Sequence, residues 1–257
     1  MKVHVFCAFF VASAAFAQPA TIQVTVQKQE SAQKQLAFAR RLIALVPITM
    51  LRTAYERHVA VANAAANLEA VERGWPHDRD AIVEANALLA KLYADAEMPQ
   101  NAIDAANHGL TAAPDDYRLH FALAVAEKRL GLLAEAGREF AQADATFDES
   151  RGEPIQQPGI LNTIAFFYER QKQYQDCARV LRRMADLPAS TPLDRLVFSE
   201  RALEATLKTP DRETARADLQ QFRAAFHAML GVSRTPGGQV IIDQAEAAIA
   251  RYEALLR

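Results

Sequence analysis

Glycine is scarce in this 257-residue chain, nine residues in all, and none stands in the spacing of a phosphate-binding loop. There is no Gly-x-Ser-x-Gly elbow, and no two histidines four apart enclose a glutamate, so the signatures of serine hydrolases and zinc proteases are both missing. Charge of one sign is lacking as well. The 29 basic and 31 acidic residues leave a net of −2, which offers no strongly basic face for nucleic acid. Cysteine occurs twice, at Cys7 and Cys177, too few for a disulfide framework. Beyond the first residues no apolar run is long enough to span a bilayer; the densest, Leu42 to Leu51, is interrupted by Pro47 and is expected to be buried helix ends.

What is present begins with Met1-Lys2, an apolar run from Val3 to Ala12, and small residues closing on Ala15-Phe16-Ala17 before Gln18-Pro19. A short basic start, an apolar stretch and an Ala-x-Ala site describe a secretory signal peptide, so residues 1–17 are expected to be a leader cleaved after Ala17. Cleavage would remove Lys2 and Cys7 and leave 28 basic against 31 acidic residues, a net of −3. Cys177 would then be the lone thiol of a periplasmic or secreted protein with no integral membrane segment, held together by packing alone.

Half the residues are hydrophobic, 51%, and their spacing is helical almost throughout; strand-like alternation is confined to Ile22, Val24 and Val26. Similar residues recur 34 positions apart: Leu89-Ala90 as Leu123-Ala124, Ala102 as Ala136, Ala106 as Phe140, Gly109 as Ala143. Within the first copy Leu89-Ala90-x-x-Tyr93 is followed by Ala102 nine residues after the tyrosine and by Pro114 at the end. A third copy, Ile164-Ala165-x-x-Tyr168 with Cys177 and Leu181, lies seven residues late, and Gly152 to Pro158 supply the excess as a polar loop.

This pattern resembles the tetratricopeptide repeat, in which a large and a small residue stand on one helix, an aromatic follows three on, a small residue sits on the next helix, and a proline closes the unit. The chain departs from the pattern at Asn86, where the family often has tryptophan, at Glu127 in place of the aromatic, and at Asp148 in place of the closing proline. The resemblance implies an all-α fold, an α–α superhelix or solenoid of antiparallel helix pairs. Ala90, Ala102, Ala124, Ala136, Ala165 and Cys177 would stand where backbones cross. Leu89, Tyr93, Leu123, Phe140, Ile164, Tyr168 and Leu181 would fill the space between pairs, each contributing on the order of 1.5 to 3 kcal/mol when fully buried.

Three segments are expected: the leader, an N-terminal helical segment over 18–78, and a repeat domain over 79–257. Residues 33–73 read as two helices divided near Pro47, and Trp75-Pro76-His77-Asp78 as a turn with Asp78 or Asp80 capping the next helix. A fourth pair is expected over 192–229, broken at Thr209-Pro210-Asp211, with Ala215, Leu219, Phe222 and Phe226 on one stripe. After Gly231 and a Pro236-Gly237-Gly238 turn, a capping helix would carry Ile241, Ala245, Ala248, Tyr252 and Leu255 inward.

Nothing in the sequence calls for a cofactor or a metal. His58, His77, His108, His120 and His227 are scattered singly, as surface or partly packed histidines are. Cys177 falls where the repeat takes a small buried residue, and Asp115-Asp116 where a helix start is capped. In this family the first helix of each pair lines the concave face. The resemblance therefore places a partner-binding groove at Lys91 in the first copy, Arg118, Phe121, Lys128 and Arg129 in the second, and Asn162, Phe166 and Arg170 in the third. Cations with two aromatics suit an acidic segment or a terminal carboxylate of a protein or peptide. The expected function is a non-enzymatic exported scaffold or adaptor for envelope assembly, transport or surface-polymer machinery; an accessory subunit of a separate envelope enzyme is the alternative.

Overall fold

A computed structural model describes residues 6–7, 22–23, 26–45, 53–152, 156–230 and 236–257. The cleavage site at Ala15–Ala17, the break at Pro47, the middle of the insertion and Gly231 lie outside them. Two-residue strands, β1 (Phe6–Cys7) and β2 (Ile22–Gln23), pair antiparallel. Everything else that is regular is helical. The chain divides into two compact units, residues 1–146 and 147–257, so α1 and α2 share a unit with the first two repeat copies.

The first unit holds α1 (Ala32–Leu45), α2 (Ala54–Gly74), α3 (Arg79–Asp95), α4 (Pro99–Ala112), α5 (Tyr117–Arg129) and α6 (Leu133–Ala145). Each helix packs on the next, and α3 also lies against α1 and α5, so the odd-numbered helices stand side by side. The start signals at Asp78 and Asp116 are the expected ones, and a third, at Thr53, is additional. Thr53 and Glu56 form a reciprocal capping box on α2, Asp78 accepts from the amide of Ala81, and Asp116 accepts from that of Arg118.

The second unit holds α7 (Gln157–Arg170), α8 (Tyr174–Asp186), α9 (Pro192–Leu207), α10 (Arg212–Leu230) and α11 (Pro236–Leu256), again each packed on its successor. On α8 the stripe Cys177, Ala178, Val180, Leu181, Met184 and Ala185 is buried, while Asp176, Arg179 and Arg183 take the other side. The fourth-pair stripe of Ala215, Leu219, Phe222 and Phe226 is buried on α10.

All six expected crossing residues are at most 1% exposed: Ala90, Ala102, Ala124, Ala136, Ala165 and Cys177. The large residues around them are buried too, apart from Tyr93, which is half-buried. The turns between first and second helices repeat as faithfully. Glu97 (φ 61°), Gly131 (φ 80°) and Lys172 (φ 59°) occupy the left-handed region at equivalent places. In each case the next residue's amide reaches back to close the helix, Met98 to Tyr93 O at 2.9 Å, Leu132 to Glu127 O at 3.0 Å and Gln173 to Tyr168 O at 2.9 Å. One backbone motif is thus built three times at intervals of 34 and 41 residues, matching the sequence register.

Two expectations need correction. Gln157 and Pro158 belong to the first turn of α7 and not to a loop, because proline suits the first helical positions and the Gln157 amide donates to Glu149 O at 2.7 Å. Pro236-Gly237-Gly238 likewise opens α11 instead of forming a turn. The inward face of α11 is also turned by about one residue. Ile242, Ala245, Ala248, Tyr252 and Leu256 are buried, Ile241 is only partly so, and Leu255 is 60% exposed. Apolar neighbours at 241/242 and 255/256 made either face readable, and packing on α10 selected one.

Gly109 on α4 marks a close approach in the first unit. A methyl there would come within 2.7 Å of Leu119 Cδ1 and 2.9 Å of Asn86 Cβ. Gly109→Ala is expected to lower the thermal midpoint even though alanine favours helix, since overpacking against a fully buried leucine costs about 1–3 kcal/mol. Conversely, Glu97→Gly and Lys172→Gly should each raise it by removing left-handed strain of about 1 kcal/mol, while Gly131→Ala lowers it. Thermal melts of the four variants read both expectations.

Candidate functional site

In the first unit most of the cations on the first helices are used to hold the helix pairs together. Glu84 on α3 is gripped from both sides, by Arg40 on α1 at 2.5 Å and by Arg118 on α5. Arg118 also binds Asp116 through Nη2 at 2.8 Å and Nε at 3.0 Å. Burial works to raise the pKa of Glu84, but the two guanidiniums outweigh it and hold the carboxyl below its ordinary range. Arg129 donates to the carbonyl of Ala94, and Arg79 to that of Ala112, so each adds a bond to a carbonyl at a helix end.

Lys91 pairs with Asp95 one turn on, at 2.5 Å, and Phe121 is half-buried with its ring 6.1 Å from that of Phe140. Lys128 is exposed and has no ion-pair partner among the described residues. The five residues expected to line a groove here are therefore placed on α3 and α5, with two of the four cations bonded across helix pairs.

The second unit is different. On α7, Asn162 accepts from Arg201 of α9 at 2.8 Å, and Lys208, just past the end of α9, pairs with Glu169 at 2.9 Å, so α7 and α9 run side by side. One turn from Asn162 stands Phe166, 46% exposed, with the Arg170 guanidinium 5.8 Å from its ring centroid. One turn from Arg201 stands Val197, and one turn further Leu193, each 42% exposed. Three apolar side chains are thus exposed on the two bonded helices, Phe166 beside the Arg170 guanidinium on α7 and Val197 and Leu193 one and two turns from Arg201 on α9. Leu193, Val197 and Arg201 carry no mark in the sequence, because the fourth pair follows the repeat too loosely to align.

In the same unit a second half-buried arginine joins three helices. Arg182 of α8 binds Asp218 of α10 at 2.6 and 2.9 Å, and Asp218 also accepts from Thr206 of α9 at 2.6 Å. Cys177 is packed among these helices. Burial first, and Glu169 second, push its thiol up to about 11, which keeps it protonated and unreactive.

No group of three or more histidine, cysteine or acidic side chains among the described residues could hold a metal ion. Among those residues no helix is long and apolar enough to cross a membrane. A cleft of about 370 Å³ opens between α2, α3 and α4, lined by Glu69, Glu72, Asn86, Tyr93, Asp104 and His108 among others.

The repeated turns and the matched crossing residues decide the architecture. The helix pairs are tetratricopeptide-like. No family model matches the sequence, and no curated protein matches it. Among solved structures the chain is similar to a Podosopora anserina protein of nearly identical TPR-like repeats, at 19% identity and a TM-score of 0.47 over 80% of this chain and 100% of that one. It is also similar to a thermophilic TPR protein from Thermus thermophilus, at 16% identity and a TM-score of 0.43 over 84% of this chain and 100% of the other. Both are likenesses of backbone arrangement alone.

Glu127, which departs from the repeat's aromatic position, carries a strained charge. Its Oε2 is closed off from solvent without a hydrogen-bond partner. Burial, with Glu139 and Glu135 nearby, pushes its pKa up to about 7 from the ordinary 4.5, only partly opposed by Arg138. A raised carboxyl pKa favours the folded state when protonated. The contribution is whole below pH 4.5 and is lost as pH rises through about 7. Melts between about pH 5 and 8 should therefore show Glu127→Gln gaining stability over the parent as pH rises; a pH-independent difference would refute the assignment.

Proposed function

We propose that this chain is an exported adaptor that holds a protein or peptide partner, and that the α7–α9 face of the second unit is where it does so. The observation that carries the reading is Phe166, left 46% open to solvent with a guanidinium over its ring. A large aromatic is ordinarily withdrawn into a helical core. One held out with Arg170 over its ring, one turn along α7 from the Asn162–Arg201 bond, has the make-up of an interface anchor. Val197 and Leu193 add exposed apolar area further along α9, so the two helices offer apolar area to bury and cations to orient an acidic segment or terminal carboxylate.

Export rests on the leader-like order of residues 1–17, and that order supports work in the cell envelope, in assembly, transport or surface-polymer machinery. Cleavage after Ala17 would also part β1 from the rest of the chain. The adaptor reading is non-enzymatic: partner binding is the activity, and it should weaken with salt because the cations at this face are exposed.

A photo-reactive residue at position 166 should cross-link a defined envelope protein in cells. Purified chain carrying Phe166→Ala should bind that protein more than about tenfold more weakly, as truncation of an anchor does. Sequencing of the recovered protein should read Gln18 at its N-terminus. Equal binding by the Phe166→Ala variant would overturn the face, and an unprocessed cytosolic chain would overturn export.

A further inference from the structure

The cleft between α2, α3 and α4 belongs to the first unit, shares no residue with the α7–α9 face, and its chemistry is of the opposite sign. Asn86 is central to it. The residue is 1% exposed, and its Nδ2 donates to Glu72 Oε1 at 2.6 Å and to the Ile82 carbonyl at 2.9 Å. Both partners are acceptors, so the amide orientation is settled by the bonds and not by choice. Its Oδ1 is left with no hydrogen-bond partner among the described residues, in a side chain that lines the cleft.

Around that buried acceptor stand further acceptors. Glu72, half-buried, is pinned by Asn86 and has His108 Nδ1 at 3.3 Å from Oε1. Glu69 meets only Arg73, at 3.5 Å on a side chain that is itself largely exposed. Asp104 takes a single amide, that of Gln100, on Oδ1 at 3.1 Å. Glu69 and Glu72 also fall in the last two turns of α2, where the helix dipole is already negative and acids are disfavoured. Two carboxylates near a helix C-terminus, a third on α4 and an open amide oxygen leave more acceptor positions than the lining donors Arg73, Asn101 and His108 are seen to fill.

The space is shaped as well as charged. Leu89, Tyr93 and Ala105 supply apolar lining, and the Tyr93 phenol, pushed up to about 12 by burial and by Glu69, stays neutral. Asn86 has equivalents at His120 and Leu161, 34 and 75 residues on. Neither repeats the arrangement. His120 is engaged by Glu139 and the Pro114 carbonyl, each at 2.7 Å, and Leu161 is fully buried. Asp104 becomes Arg138 in the second copy, which reverses the charge. The acceptor set is thus particular to the first copy and is not a by-product of the repeat.

We infer that this cleft is a second docking site, and that it receives an arginine side chain from a protein partner. A guanidinium presents five donors in a planar fork, which can bridge Glu72 and Asp104 and reach Asn86 Oδ1 while its aliphatic stem lies on Leu89 and Tyr93. A cleft of about 370 Å³ holds such a side chain with the adjoining backbone. The exposed Arg73 is displaced from Glu69 when the guest enters.

The test uses N-acetyl-arginine N-methylamide, and its citrulline counterpart of the same shape without charge, titrated into isotope-labelled full chain. The arginine probe should shift the side-chain amide of Asn86 and the ring of His108, and citrulline should not. Glu72→Gln should weaken the response about tenfold, as loss of a charge-assisted bond does. Asn86→Leu, the residue the third copy carries, should abolish it in a chain whose helical content and melting are retained. Equal shifts with citrulline would overturn the inference, as would shifts confined to other acidic positions such as Glu200 and Glu204. Spermidine displacing the arginine probe at lower concentration would overturn it too, by assigning the cleft to a free polyamine.

Discussion

Two helix backbones can approach only as closely as the side chains between them allow, and every helix pair in the repeat region depends on that limit being met. Ala90 and Ala102, Ala124 and Ala136, Ala165 and Cys177 meet it with side chains no larger than a thiol, and Gly109 with none at all. Close approach then leaves larger residues about one turn away, such as Phe140, Tyr168 and Leu181, no place but the space between neighbouring pairs. A single pair has too little interior to bury them, so pairs accumulate. The seven-residue slip between the second and third copies leaves this logic intact, because the crossing residues and the left-handed turn move together.

Close packing alone does not orient one pair against the next, and in each unit a half-buried arginine adds a directional bond. Arg118 ties α5 to Glu84 on α3, which Arg40 of α1 grips from the other side; Arg182 ties α8 to Asp218 on α10, with Thr206 of α9 as third member. Ions taken out of water in this way are stabilising only when fully bonded, and those of Arg118 and Arg182 have several partners each. The functional consequence is subtractive. An arginine that bridges pairs is withdrawn from recognition, so binding chemistry falls to the groups that packing leaves unbonded: Phe166 with its neighbours in one unit, and the acceptors around Asn86 in the other.

Departures from the repeat mark where polar groups are left unsatisfied. Asn86 stands where the family often has tryptophan, and Glu127 stands where it has an aromatic. In each case the polar group carries an oxygen that no neighbour satisfies. The departures were visible in the sequence, but their meaning was not. A polar residue at an apolar position signals either a bonded core group or an open site, and only the partners found in space tell the two apart. The α9 residues Leu193, Val197 and Arg201 were less accessible still, since nothing in their spacing marks an outward face until α7 is known to lie alongside.

Taken alone, the sequence determined the all-helical character, the helix pairs and their register, and the caps at Asp78, Asp116 and Thr209-Pro210-Asp211. These follow from forces acting within about one repeat: periodic burial, small residues at fixed intervals, and local side-chain bonds to helix ends. Tertiary structure decided which face of α11 turns inward, which cations are consumed as staples, and where unsatisfied acceptors are gathered. Those outcomes depend on residues far apart in the chain meeting across helices, such as Arg129 with Ala94 and Arg182 with Asp218. A linear pattern shows that a charge is present, whereas its partner in space decides whether that charge is available to a guest.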